Sequence, residues 1–177
     1  MVPFFFISCS EKVELSDYIK KSEYQIENGT ISVTIDGTTT DGLKINETIV
    51  FNCDDIRGSH YYVSNDSTVN ISIHRYNILD NKSLIIYIKK ENEIYALTGM
   101  SLSSIVEKQD NSILDISIYS YHTEMKNADL KVDKFDPESG ILKGSGSYLH
   151  QAQVFPDYYD CSISFSFDLK LREQIYD

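Results

Sequence analysis

Along most of this chain apolar and polar residues alternate with a period of two, the spacing of a strand with one dry and one wet face. Ile31, Val33 and Ile35 open the pattern, and Asp36-Gly37 after them has the composition of a tight turn. A second turn signal, Asp41-Gly42, precedes a longer run in which Leu43, Ile45, Ile49, Phe51 and Cys53 share one parity; Glu47 is its misfit. Val69, Ile71 and Ile73 continue the theme. Leu84-Ile85-Ile86-Tyr87-Ile88 is apolar at both parities and predicts an interior strand. Leu114, Ile116 and Ile118 follow, then Leu130 and Val132. Asp136-Pro137-Glu138-Ser139-Gly140 next places proline and glycine where a hairpin turn uses them. Gly144-Ser145-Gly146-Ser147-Tyr148 reads as a strand whose glycines permit a bend or a close neighbour. The clearest run is the last, where Cys161, Ile163, Phe165, Phe167, Leu169 and Leu171 alternate with Ser162, Ser164, Ser166, Asp168 and Lys170. Ser101–Lys108 is the one segment that reads as a short helix.

These segments predict eight to ten strands with short connections and no strand–helix–strand crossover. The expected fold is all-β: a single-domain antiparallel β-sandwich or a flattened up-and-down, lipocalin-like barrel, occupying residues 29–177. Residues 10–28 are polar and charged. Leu15, Tyr18 and Ile19 have helical spacing over about one turn, too little for a stable helix, so this stretch is expected to be a tether. Hydrophobic residues at 41% supply a core, and the net charge of −11 narrows the partners. Nucleic acid is excluded as a partner, because the longest basic runs are Lys20-Lys21 and Lys89-Lys90, each with glutamate nearby.

The first residues read Met1-Val2-Pro3-Phe4-Phe5-Phe6-Ile7-Ser8-Cys9, followed by Ser10, Glu11, Lys12 and Glu14. Phe6-Ile7-Ser8-Cys9 resembles a bacterial lipobox: a large apolar residue, a small residue before the cysteine, then the cysteine itself. The ending also resembles small Bacteroidota lipoproteins of unknown function, as does the pairing of a Gly-Ser-rich strand with a closing alternating strand. That resemblance implies cleavage before Cys9 and a diacylglycerol on its thiol. It also implies a lipid bilayer as partner and a place in the cell envelope, at the outer membrane or in the periplasm and facing either compartment or the cell surface. It brings no activity with it. Residues 1–9 would be the remnant of a signal whose apolar stretch is short and lacks a basic start, so the natural start is expected upstream.

Enzyme templates find no match in the chain. There is no Gly-x-Ser-x-Gly, His-Glu-x-x-His, phosphate-binding glycine loop or Cys-x-x-Cys. His60, His74, His122 and His150 are scattered and read as surface or loop residues. Five Asn-x-Ser/Thr sequons (Asn28, Asn46, Asn65, Asn70, Asn81) carry meaning only in a glycosylating host. The expected role is therefore non-catalytic binding or scaffolding of an unknown ligand. The alternatives are a subunit of a surface appendage or an unrecognised enzyme with an Asp/His loop site.

One site hypothesis emerges. With Cys9 lipidated, Cys53 and Cys161 remain, either bridged in an oxidising compartment or buried as two thiols. Asp54, Asp55, Arg57, His60, Tyr61 and Tyr62 follow the first cysteine; Asp157, Tyr158, Tyr159 and Asp160 precede the second. If the two strands are antiparallel neighbours, these loops share one pole. The acids there would splay into water, recognise a ligand or partner, or hold a hard cation such as Ca²⁺ through Asp54, Asp55, Asp157 and Asp160.

Overall fold

The computed structural model describes residues 26–39, 42, 44–54, 58–64, 67–77, 82–107, 113–121, 125, 128–153 and 158–175. Eleven strands account for nearly all of them: β1 (Ile26–Thr39), β2 (Lys44–Asp54), β3 (His60–Val63), β4 (Val69–Asn77), β5 (Lys82–Glu91), β6 (Ile94–Glu107), β7 (Ile113–Tyr121), β8 (Ala128–Asp136), β9 (Ile141–Gln153), β10 (Tyr158–Lys170) and β11 (Arg172–Glu173). No helix occurs among the described residues, and the chain is all-β.

A single sheet runs in the order β7-β6-β5-β4-β2-β1-β10-β9-β8. Every pairing along it is antiparallel, and among the described residues the one parallel pair is the short β11 against β3. The strand β6 comes back against β8, where the Met125 amide donates to the Leu97 carbonyl at 3.4 Å, so the sheet curls toward a nearly closed barrel. Alternation along each strand is the cause: Ile31, Val33 and Ile35 on β1 face Phe51, Ile49 and Glu47 on β2 and Phe167, Phe165 and Ile163 on β10. These inward positions make one apolar core with Ile73, Leu84, Ile86, Met100, Leu102 and Leu142, all at 0% exposure.

Several sequence expectations need correction. Asp36-Gly37 is not a turn: β1 stays extended to Thr39, with Gly37 opposite Cys161 on one side and Ile45 on the other. Two long partners hold that stretch straight, and the reversal falls at Gly42, whose φ is +86°. Ser101–Lys108 is not a helix, since residues up to Glu107 belong to β6. Met100 and Leu102 point into the core, and β5 and β7 flank the strand. The described strands start at Ile26, and residues 1–25, with the expected signal remnant and most of the expected tether, lie outside the described residues.

Other expectations hold. The strand β5 is interior, between β4 and β6, with Ile85 and Tyr87 half-buried on its outer side. The hairpin turn between β8 and β9 forms at Asp136–Gly140. There the Asp136 carboxylate accepts from the Ser139 hydroxyl at 2.6 Å and from the Glu138 and Ser139 amides. The Ser139 hydroxyl is the largest of the influences that lower the Asp136 pKa below the ordinary carboxylate value.

The misfit Glu47 is resolved by its partner. It lies on the core side of β2 and ion-pairs with Lys82, which is 8% exposed at the start of β5. A second inward cation, Arg75, sits at 1% exposure and donates to the Gly29 and Phe51 carbonyls.

Candidate functional site

The two halves of the expected pole lie apart. β1 runs between β2 and β10 and is antiparallel to both, so β2 and β10 run parallel to each other. Cys53 stands opposite Ile26 at the start of β1, whereas Cys161 stands opposite Gly37 near its end. At about 3.3 Å per residue, that separates the cysteines by roughly 30 Å. A bridge needs Cα atoms within about 7 Å, so Cys53 and Cys161 are two buried, unbridged thiols. Titrating the denatured, unreduced protein is therefore expected to find both of them reactive, and the native protein should react slowly at either. A chain in which neither reacts before reduction would contradict this register.

The same separation divides the acids. Asp54 pairs with Arg75 at one end of the barrel, and Asp160 pairs with Thr38 at the other. Tyr158 and Tyr159 belong to the Asp160 end. Asp55, Arg57 and Asp157 lie outside the described residues. Antiparallel adjacency of the two cysteine strands was the premise of a four-carboxylate Ca²⁺ site, and an intervening strand removes it. Among the described residues no group of three metal-ligating side chains occurs.

At the Asp54 end, Tyr61 and Tyr62 do not form a shared face. Tyr61 points inward at 2% exposure, its hydroxyl donating to the Pro137 carbonyl at 2.8 Å and its ring edge-on to Phe135 at 5.2 Å. Burial, then the charges of Glu173 and Asp136, raises its pKa. It ties β3 to the β8–β9 turn. Tyr62 has the opposite parity and is half-buried. His74 was expected at the surface, but it is 4% exposed on the outer side of β4. There it stacks on His60 at 5.7 Å and meets Tyr87 edge-on. The Ser59 hydroxyl accepts from the His74 amide at 3.1 Å, which fixes this corner.

A different surface emerges on the outer side of β1, β10, β9 and β8. Register brings short hydroxyl side chains into two rows. One runs Thr34–Ser164–Ser147 to Asp129, and the next runs Ser32–Ser166–Ser145 to Lys131. The first row continues onto β2, where the Thr34 and Thr48 hydroxyls are 2.9 Å apart. Serine leaves space that lysine or glutamate would fill, so the rows form the floor of a trough of about 470 Å³. The Lys143–Asp168 ion pair, at 2.6 Å, borders it toward one end of the barrel. Leu149, 53% exposed and opposite Ser162, stands toward the other.

The floor is braced from below. Gly144 and Gly146 occupy the inward positions of β9, and the rings of Phe167 and Phe165 take the room that their side chains would need. A Cβ at Gly146 would stand 2.5 Å from the Phe165 ring and 2.8 Å from the Asp129 carbonyl oxygen. The Phe165 ring therefore lies on the core side of β10, beneath this floor. The sequence marked these glycines as places of close approach, and that is their role. It did not mark the trough, because Ser32, Ser145 and Ser164 are far apart in the chain and only the strand order makes them neighbours.

No family model, curated protein or solved structure matches the chain.

Proposed function

We propose that this chain is a lipid-anchored, non-catalytic binding domain of a bacterial cell envelope, held to the bilayer by an acylated Cys9 and presenting the serine-lined trough as its binding surface. The observation that carries the binding role is the trough. It is a concave, hydrogen-bonding surface of the volume small-molecule sites have, built on strands rather than loops and backed by a packed aromatic layer. The anchor rests on Phe6-Ile7-Ser8-Cys9 and the acidic residues after it.

The appendage alternative has less support. Its docking strand would add to a sheet edge, and β8 forms one end of this sheet. That strand carries Lys131 and Lys134 at exposed positions and breaks register between Val132 and Lys134, devices that discourage edge pairing.

Metabolic labelling with a fatty-acid analogue in the native host, with the protein expressed from its native locus, tests the anchor. The protein should take up label, and Cys9→Ala should abolish labelling and release the protein from membranes. A labelled, membrane-bound Cys9→Ala variant would sink the anchor.

A further inference from the structure

We propose that the outer edge of β7 pairs with the same edge of a second copy of this chain, antiparallel about a two-fold axis at Ser117, so that the sheets of two protomers join. This goes beyond the binding role of the trough and does not depend on it.

The two ends of the sheet are built differently. β8 is guarded: the side chains of Lys131 and Lys134 are 77% and 51% exposed, and the pairing with β9 shifts between Val132 and Lys134. β7, at the other end, carries none of these devices. Its nine residues, Ile113-Leu114-Asp115-Ile116-Ser117-Ile118-Tyr119-Ser120-Tyr121, include no proline, lysine or arginine. Their pairing with β6 runs without a bulge from Ile113 opposite Glu107 to Tyr121 opposite Gly99. β6 takes one edge of this strand, and among the described residues no strand takes the other. A straight edge rich in isoleucine and tyrosine, with one charge, is a template for another strand. Backbone amides and carbonyls along it gain partners by strand addition.

The occupant follows from the same asymmetry. Joining β7 of one copy to β8 of the next would build an open chain, and the guard on β8 opposes it. β7 against β7 closes after two copies. The strand is also suited to pairing with itself. Ile118 stands opposite Leu102 and Ser120 opposite Met100, both buried on β6, so the even positions of β7 are in register with the core-side row. An axis at Ser117 sets even positions against even ones and pairs all nine residues. Ile116 of each copy then stands opposite Ile118 of the other, giving two apolar cross-strand pairs. Asp115 falls opposite Tyr119, so the two carboxylates never face each other. An axis at Asp115 would oppose them directly, and an axis half a residue away would mix core-side with outward positions. Two chains of net charge −11 repel at long range, and physiological salt screens that repulsion beyond about 8 Å.

The test is analytical ultracentrifugation of the full chain carrying Cys9→Ala, which keeps an acyl group from bringing copies together. A monomer–dimer equilibrium is expected, tighter at higher salt. Adding Ser117→Lys, which opposes two cations at the axis, should weaken the dimer about fivefold or more. Cross-linking reads the register. Directly opposed residues have Cα atoms about 4.5–5.5 Å apart, within reach of a disulfide. Ser117→Cys should therefore link two copies under oxidised glutathione, while the parent, with Cys53 and Cys161 buried, should not. Asp115→Cys should not link either, since its two copies lie four residues apart along the strands, about 14 Å. Thermal melts show whether each variant folds, and the cross-link decides if Ser117→Lys does not fold. Four results overturn the proposal: a monomer at every concentration up to about 1 mM, a series of higher oligomers, a dimer that Ser117→Cys does not link, or equal linking through Asp115→Cys.

Discussion

Gly29→Ala is expected to lower the melting temperature by roughly 10 °C, while Gly42→Ala lowers it by only about 3 °C, on a scale of about 2–4 °C per kcal/mol for a domain of this size. The two glycines have nearly the same backbone, with φ of +89° and +86°. Alanine in that region costs about 1 kcal/mol or somewhat more at either site. Their surroundings differ. A Cβ at Gly42 meets nothing within 4 Å, whereas one at Gly29 runs into the carbonyl oxygen of Asp168 on β10. That oxygen is backbone in a paired strand, where Gly29 stands opposite Leu169, so it cannot swing aside. The Gly29 carbonyl also accepts from the buried Arg75, and moving β1 away from β10 would disturb that bond. The clash and the disturbed bond together add about 2–3 kcal/mol, in the range of overpacking and a weakened buried hydrogen bond. Paired thermal melts followed by circular dichroism decide it: equal shifts in the two variants would show that only the dihedral matters.

The comparison also shows what kind of information the chain carries openly. Gly42 sits in an Asp-Gly signal and can be read as a turn, as can Gly140 after Asp136-Pro137-Glu138-Ser139. Gly29 has no such context. Its need for glycine comes from Asp168, a residue distant in sequence, and from a shift of register in β1 between Ile26 and Ile31. Parity was readable wherever one face is buried, because a wrong parity would put Ile31, Val33 or Phe165 in water. Strand order was not. Placing Cys53 and Cys161 on antiparallel neighbours was a guess about order, and β1 lies between them. The same gap hid the trough: Ser164 and Ser166 fall on a wet face by parity, yet nothing local says that the wet faces of β1, β9 and β10 adjoin. Glu47 and His74 escaped for a related reason. Each breaks a local rule and is satisfied by a partner far along the chain, Lys82 for the first, and His60 with Ser59 for the second.

Phe165→Ala is expected to cost about 3–5 kcal/mol, which lowers the melting temperature by roughly 10 °C or more. The ring is 3% exposed, stacks beside Phe167 at 6.2 Å, and fills the room under Gly146. Truncating it leaves a cavity that the paired strands around it cannot close, because their hydrogen-bonded registers fix their spacing. Gly146→Ala alone should cost about 1–3 kcal/mol as overpacking, since its Cβ meets both the Phe165 ring and the Asp129 carbonyl. In the double variant the ring is gone, and the new methyl enters space that Phe165 vacated. The two costs should then fall short of their sum by about 1 kcal/mol, the coupling expected of residues in contact. Rescue stops short of complete because the Asp129 oxygen remains 2.8 Å from the methyl position. Gly144→Ala supplies the control. Its Cβ meets Phe167 and the Lys131 carbonyl instead, so Phe165→Ala should relieve it far less. Denaturant unfolding of the three single and two double variants measures the coupling. Strict additivity at Gly146 would mean that the β8 backbone, and not the aromatic layer, dictates the glycine and sets the depth of the trough.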